Sequence, residues 1–326
     1  MVVRYTADQL YQRLRSHRVV QGPLAGVSSV PFRDLVWRYS QPAWVYSEMI
    51  SCRTIISGSP SIKHRYLQTS AQEGPLCMQI ATDNPEDCSK ACAVLNQLDI
   101  AMIDLNVGCP VKKIRQRQQG SYLLSQPDRL YAIVRALRTH SVHPISVKIR
   151  VDGSTSDRFN ADVLDVINRA APDFLVVHGR NYQEGYDVAC HYDQIAFFAQ
   201  HAHMPVIGNG DVHDQSSVES MLALGCAGAM IARASVGAPW LIGNIQSHMG
   251  LGLPSHCLSL AESWSVFCAH INGLVRLLER EDLALAQAQG LIKYYAKRNP
   301  QFNQLLAPVR NAVHIETLPG LLAQLD

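Results

Sequence analysis

Short apolar runs separated by helical stretches recur along most of this chain, and they restrict its fold more than any other feature. Runs of β-type residues begin near Val19, Ala43, Pro75, Ile100, Ile145, Phe174, Pro205 and Gly228, in segments such as WVYSEMI, LCMQI, AMIDLNV, ISVKI, FLVVHG, VIGNG and AMIAR. Their hydrophobicity is nearly continuous rather than alternating, the pattern of parallel strands covered on both faces. The stretches 85–98, 127–140, 161–171 and 215–224 have helical periodicity; proline opens the first two and Gly225 stops the last. Eight βα units in about 240 residues predict an α/β fold, a (β/α)8 TIM barrel. A doubly wound sheet is the competing arrangement, but no GxGxxG follows the first strand.

The pattern changes after Gly250. LGLPSH is turn-rich, and residues 258–325 show helical periodicity without a clear strand. The expected division is a barrel over 1–250 and a smaller all-helical domain over 251–326. With 47% hydrophobic and 17% charged residues, the chain can bury a sizeable core. Its nine cysteines are odd in number and include no CxxC pair, which fits reduced cytosolic usage. Cys88 and Cys92 share a helix face but lack a second ligand pair, so no metal site is expected. Neither a signal segment nor an apolar stretch of about 18 residues is evident, and the expectation is a soluble, cytoplasmic monomer with no membrane partner.

A net charge of +2 implies nothing about partners, but its distribution does. Between Lys112 and Arg150 the chain carries Lys112, Lys113, Arg115, Arg117, Arg129, Arg135, Arg138, Lys148 and Arg150, against Asp128 alone. A solvated helix face explains such a run as well as a phosphate-binding one does. In the tail, Lys293, Tyr294, Tyr295, Lys297 and Arg298 form a basic-aromatic cluster, readable as an RNA-facing side or as a bundle that only caps the barrel.

In a barrel, function collects at the C-terminal ends of the strands. Read in order, those ends supply Gly22 to Gly26, then Ser47 and Glu48, Gln79, Asn106 with Cys109, and Lys148 with Arg150. His178, Gly179 and Arg180 follow, then Gly208 to Asp211, and finally Ala232 and Arg233. Backbone N–H groups after strands seven and eight commonly make a phosphate site, and Arg233 can add a bidentate contact. Gln79, Lys148 and His178 suit the rest of a bound cofactor. The segment DLNVGCPVKK (104–113) sets an amide, a thiol and a cationic rim side by side, which points to chemistry on a nucleic-acid base.

These strand ends resemble the tRNA-dihydrouridine synthases, FMN-containing barrels that reduce uridine in tRNA. The resemblance spans nearly the whole chain and rests on GPLAGVSSVPFR (22–33), SEMIS, MQI, NVGCPVKK, GSYLL (120–124), VKIR, VHGR, GNGDV and MIARASVGAPW in order. It implies that Pro23, Leu24, Ala25, Gln79, Lys148, Asn209, Gly210, Asp211, Ala232 and Arg233 hold FMN, with His178 against the flavin. Asn106 would bind the target uracil and Cys109 would donate the proton. Arg180, Tyr186, Lys112 and Lys113 complete the expected substrate contacts, and NADPH is the expected electron donor. The first loop reads GPLAG where APMAG is usual, and Ala232 stands where glycine is more usual, so the tRNA position stays open. The rival readings are an FMN barrel acting on a free pyrimidine, as dihydroorotate dehydrogenases do, and a non-catalytic tRNA-binding protein.

Overall fold

A computed structural model describes residues 4–154, 158–252 and 254–325. Leu253, in the turn-rich LGLPSH segment, lies outside them. Eight parallel strands form a closed ring: β1 (Val19–Gln21), β2 (Val45–Tyr46), β3 (Leu76–Ala81), β4 (Met102–Val107), β5 (Ile145–Arg150), β6 (Phe174–His178), β7 (Val206–Asn209) and β8 (Gly228–Ile231). β1 pairs with both β2 and β8, and β2 pairs with β3, which closes the barrel. A two-residue strand, Ile50–Ser51, adds to the end of β3. Seven of the eight strands are buried throughout, as their continuous apolar runs demand, and the half-buried exception in β5 is Lys148.

The expected helices appear as Pro85–Leu95, Pro127–His140, Arg158–Ala170 and Gln215–Ala223. Several helices went unread, among them Val30–Ser40, Tyr192–His201 and Ala7–His17, the last opened by a Thr6–Gln9 capping box that the sequence does display. Ala7–His17 plugs the N-terminal end of the barrel. Its Leu10 and Leu14 join Val20, Trp44, Met102, Phe174, Ile207 and Met230 in one buried cluster, where Trp44 and Phe174 meet edge to face. That end is a stability face, so the opposite end is left for chemistry.

The C-terminal region is helical, with two long helices, Leu260–Leu278 and Glu281–Arg298, packed on each other. Leu260–Leu278 lies on the barrel helix Val30–Ser40 so closely that a Cβ on Gly273 would sit 2.6 Å from Pro31. Trp264, Phe267, Tyr295 and Phe302 belong to the same hydrophobic cluster as the barrel's Phe32, Leu35 and Val36. Burial of such large side chains contributes roughly 1.5–3 kcal/mol each, so the two regions stabilise one another.

Candidate active site

Strand register alone sets the centre of the site. Gln79 on β3 lies beside Asp104 on β4, and β4 presents Asp104 to Ser146 and Asn106 to Lys148 on β5. Asp104 and Asn106 are two residues apart, so both side chains point into the barrel. A continuous polar chain results. Ser146 Oγ donates to Asp104 Oδ1 (2.5 Å), Gln79 Nε2 donates to Asp104 Oδ2 (2.8 Å), and Asn106 Nδ2 donates to Gln79 Oε1 (2.9 Å). Asn106 Oδ1 then accepts from the backbone N–H groups of Gly108 (3.2 Å) and Cys109 (2.8 Å). A carboxylate at the barrel's centre thereby fixes each amide's orientation, and the last amide fixes the loop that carries the thiol. Burial raises the Asp104 carboxyl to about 6.

The Cys109 loop is held from its other side by GSYLL. Ser121 donates through its backbone N–H (3.1 Å) and its hydroxyl (3.0 Å) to the Cys109 carbonyl. Gly120 (φ +62°) lies so close beneath that a Cβ there would come within 2.9 Å of Cys109. The thiol itself is half-buried, and that burial pushes its pKa above the ordinary value. It therefore stays protonated at neutral pH, able to give up a proton.

Lys148 Nζ donates to Asn209 Oδ1 (2.8 Å), and Asn209 Nδ2 to the Met230 carbonyl (3.1 Å), so β5, β7 and β8 are tied together at their ends. Burial, then the neighbouring Arg150, lowers Lys148 to about 7. Such a lysine gains its charge most readily when an anionic group is set against it. His178 is buried and held neutral by burial first, then by Lys148, Arg150, Arg180 and Arg233. Gly210 (φ +119°) takes a backbone conformation that favours glycine, and a Cβ would run into Cys190 and the His178 ring.

These groups line one cavity of about 790 Å³, a size typical of small-molecule sites. Of the residues expected to hold a cofactor, Pro23, Leu24, Ala25, Gln79, Lys148, His178, Asn209, Gly210, Asp211, Ala232 and Arg233 all line it. Asn106, Cys109 and Tyr186 line it as well. A fixed amide, a half-buried lysine and a glycine-backed loop beside Arg233 match the needs of a flavin nucleotide: a polar pyrimidine edge at one end and a phosphate at the other. The donor set fits FMN.

Three expected substrate residues lie elsewhere. Arg180 is turned out of the cavity wall and buried: it pairs with Asp211 (2.6 Å) and donates to the Val188 carbonyl (2.6 Å). It braces the loop that carries Tyr186, and its pairing holds the Asp211 carboxyl below its usual range against the opposing effect of burial. Lys112 and Lys113 stand exposed on the short helix Lys112–Gln116, beyond the cavity's edge. Arg233 stacks over Tyr186, 3.3 Å from its ring centroid, so one residue expected at the cofactor and one expected at the substrate are in contact.

The reading by strand ends did not name Met49, Val212 and His213, which also line the cavity, and it did not place Tyr294, Lys297 and Arg298 there. The last three come from the helix Glu281–Arg298, and Arg298 donates to the Ala234 carbonyl just past β8. The basic-aromatic spelling of 293–298 was the only sequence signal for them.

The family model described as "Dihydrouridine synthase (Dus)" matches residues 19–317. The chain is 30% identical over 263 residues to tRNA-dihydrouridine synthase B of Escherichia coli (strain K12), covering 79% of this chain and 80% of that protein. It is similarly 30% identical over 259 residues to tRNA-dihydrouridine synthase B of Klebsiella pneumoniae, covering 79% and 80%. Against tRNA-dihydrouridine synthase B of Shewanella oneidensis it is 29% identical over 296 residues, 89% of this chain and 91% of the other.

Proposed function

This chain belongs to the dihydrouridine synthase family, and on that footing we propose that it reduces the 5,6 double bond of specific uridines in tRNA, with FMN in the barrel mouth and NADPH as reductant. One observation carries the reading: Asn106 and Cys109 line the same cavity as Lys148 and His178, with Asn106 beside Lys148 in the strand register and held in place by Gln79, which Asp104 holds in turn. Bound FMN supplies the hydride.

The chain's own residues do the rest. Lys148 places a cation where negative charge collects, and the neutral His178 packs beside it without competing for protons. Asn106 offers an amide to the uracil edge, its rotamer set by Gln79. Cys109, kept protonated by burial, donates the second hydrogen as a proton from Sγ. The target base reaches this depth only by leaving its stack, at a cost of a few kcal/mol. Tyr186 on the open side, and Tyr294, Lys297 and Arg298 from the helical region, can bind the strand that delivers it. We assign catalysis to residues 1–250 and most tRNA contact to 251–326.

Purified protein tests this directly. The expected result is a flavin absorbance spectrum and NADPH-dependent formation of dihydrouridine in unmodified tRNA, with free uridine and orotate left unreduced. Reduction of the free pyrimidines and not of tRNA would overturn it in favour of a small-molecule flavoenzyme, and a flavin-free protein that only binds tRNA would remove catalysis.

A further inference from the structure

A second cleft, about 560 Å³, opens on the outer side of the Cys109 loop, and Pro110 forms a wall of both this cleft and the central cavity. Its other walls include Lys112, Arg115, Tyr122, Tyr182 and Gln183, and no acidic side chain is among its lining residues. The Arg115 guanidinium lies 3.5 Å from the centroid of the Tyr182 ring. Arg115 Nη1 is shielded from solvent and finds no acceptor in the protein. A phenol face and a guanidinium plane are what nucleobases stack on, amides read base edges, and an ammonium beside them meets a phosphate. Nothing in the central chemistry uses these groups.

We propose that this side cleft is a nucleotide-binding subsite, holding the base and phosphate adjacent to the uridine that occupies the central cavity. The proposal rests on the reading that tRNA is the substrate. Because Pro110 separates the two sites, a strand whose target base has swung into the cavity lays its neighbouring nucleotide over that wall. Tyr182, Arg115 and Tyr122 offer the base its stacking surfaces, while the exposed Lys112 takes the phosphate. The adenosine end of NADPH carries similar chemistry. The RNA is favoured because the exposed Lys113 and Arg117 continue the cationic surface away from the cleft, which suits a run of phosphates.

The test measures tRNA affinity, NADPH KM and flavin content of the full-length flavoprotein and its Tyr182→Ala, Tyr182→Phe and Arg115→Lys variants. Tyr182→Ala weakens binding of unmodified tRNA about tenfold, the order expected for one lost stacking face, while Tyr182→Phe binds like the parent. Arg115→Lys, which keeps the charge and loses the plane, also weakens binding and guards against misfolding of the alanine variant. Flavin content and the NADPH KM stay at parental values. Unchanged tRNA affinity in both Tyr182→Ala and Arg115→Lys would overturn the subsite, and an effect confined to the NADPH KM would overturn its assignment to RNA. If the parent binds tRNA but forms no dihydrouridine, the functional reading fails, while the affinity comparison still decides the subsite.

Discussion

Asp104 never touches the cavity, yet its carboxylate decides how the site is wired. It accepts from both Ser146 and Gln79, which leaves Gln79 Oε1 free to accept from Asn106 and Asn106 Oδ1 free to hold the Cys109 N–H. Asp104→Asn replaces one acceptor with a donor and favours the opposite orientation of each amide. The expected outcome is a loss on the order of tenfold in kcat, about 1.4 kcal/mol of barrier, together with weaker flavin retention, because the reoriented Gln79 is among the residues assigned to FMN. Steady-state kinetics check this, and parental kcat would show that the amides are oriented by something else. Cys109→Ala removes the donor outright: turnover should fall on the order of 100-fold while FMN is retained, read by absorbance and by dihydrouridine yield. The pH dependence belongs to Lys148. Its pKa in the free protein is lowered to about 7, and an anionic partner raises it, so FMN binding takes up a proton. FMN affinity of the apoprotein should therefore be level below about pH 7 and decline above it, in a flavin-fluorescence titration. Lys148→Met should flatten that profile.

At the scale of elements, the strands were legible because parallel strands buried on both faces must be spelled with near-continuous apolar residues, and their polar terminal residues stand out. Pro23 to Ala25, Gln79, Lys148 and Asn209 to Asp211 could be read that way and do share one cavity. What the spelling did not disclose was direction. Arg180 stands at a strand end like the others, but its side chain turns to Asp211 because that carboxylate offers a buried guanidinium its partner. The polar chain through Asp104 was equally hidden, since it depends on register between strands over 20 residues apart in sequence. Arg233 follows β8, where a phosphate contact is expected, so Arg233→Ala should lose FMN on purification, visible as loss of yellow colour. A second test concerns how the helix Glu281–Arg298 reaches the cavity. Gly237 has φ +77°, and a Cβ there would sit 2.6 Å from the Tyr294 carbonyl. Gly237→Ala should destabilise this contact by more than about 1 kcal/mol, lowering the melting temperature and exposing the tail to protease.

Across the whole molecule, the helical region and the barrel share one hydrophobic core, and the central cavity draws Tyr294, Lys297 and Arg298 from the former. Sequence periodicity set a helical tail apart from the barrel because no strand-like run follows β8. It did not disclose their common core, which is built from side chains such as Phe32 and Phe267 brought together only by folding. The central claim is that one cavity brings a flavin and the Cys109 thiol to a uridine of tRNA. The most direct measurement maps dihydrouridine by mass spectrometry in tRNA from cells lacking this gene, complemented with the parent or with Cys109→Ala. The account predicts that at least one dihydrouridine disappears on deletion, returns with the parent, and stays largely absent with Cys109→Ala. An unaltered dihydrouridine pattern in the deletion strain, or full restoration by the alanine variant, would contradict it.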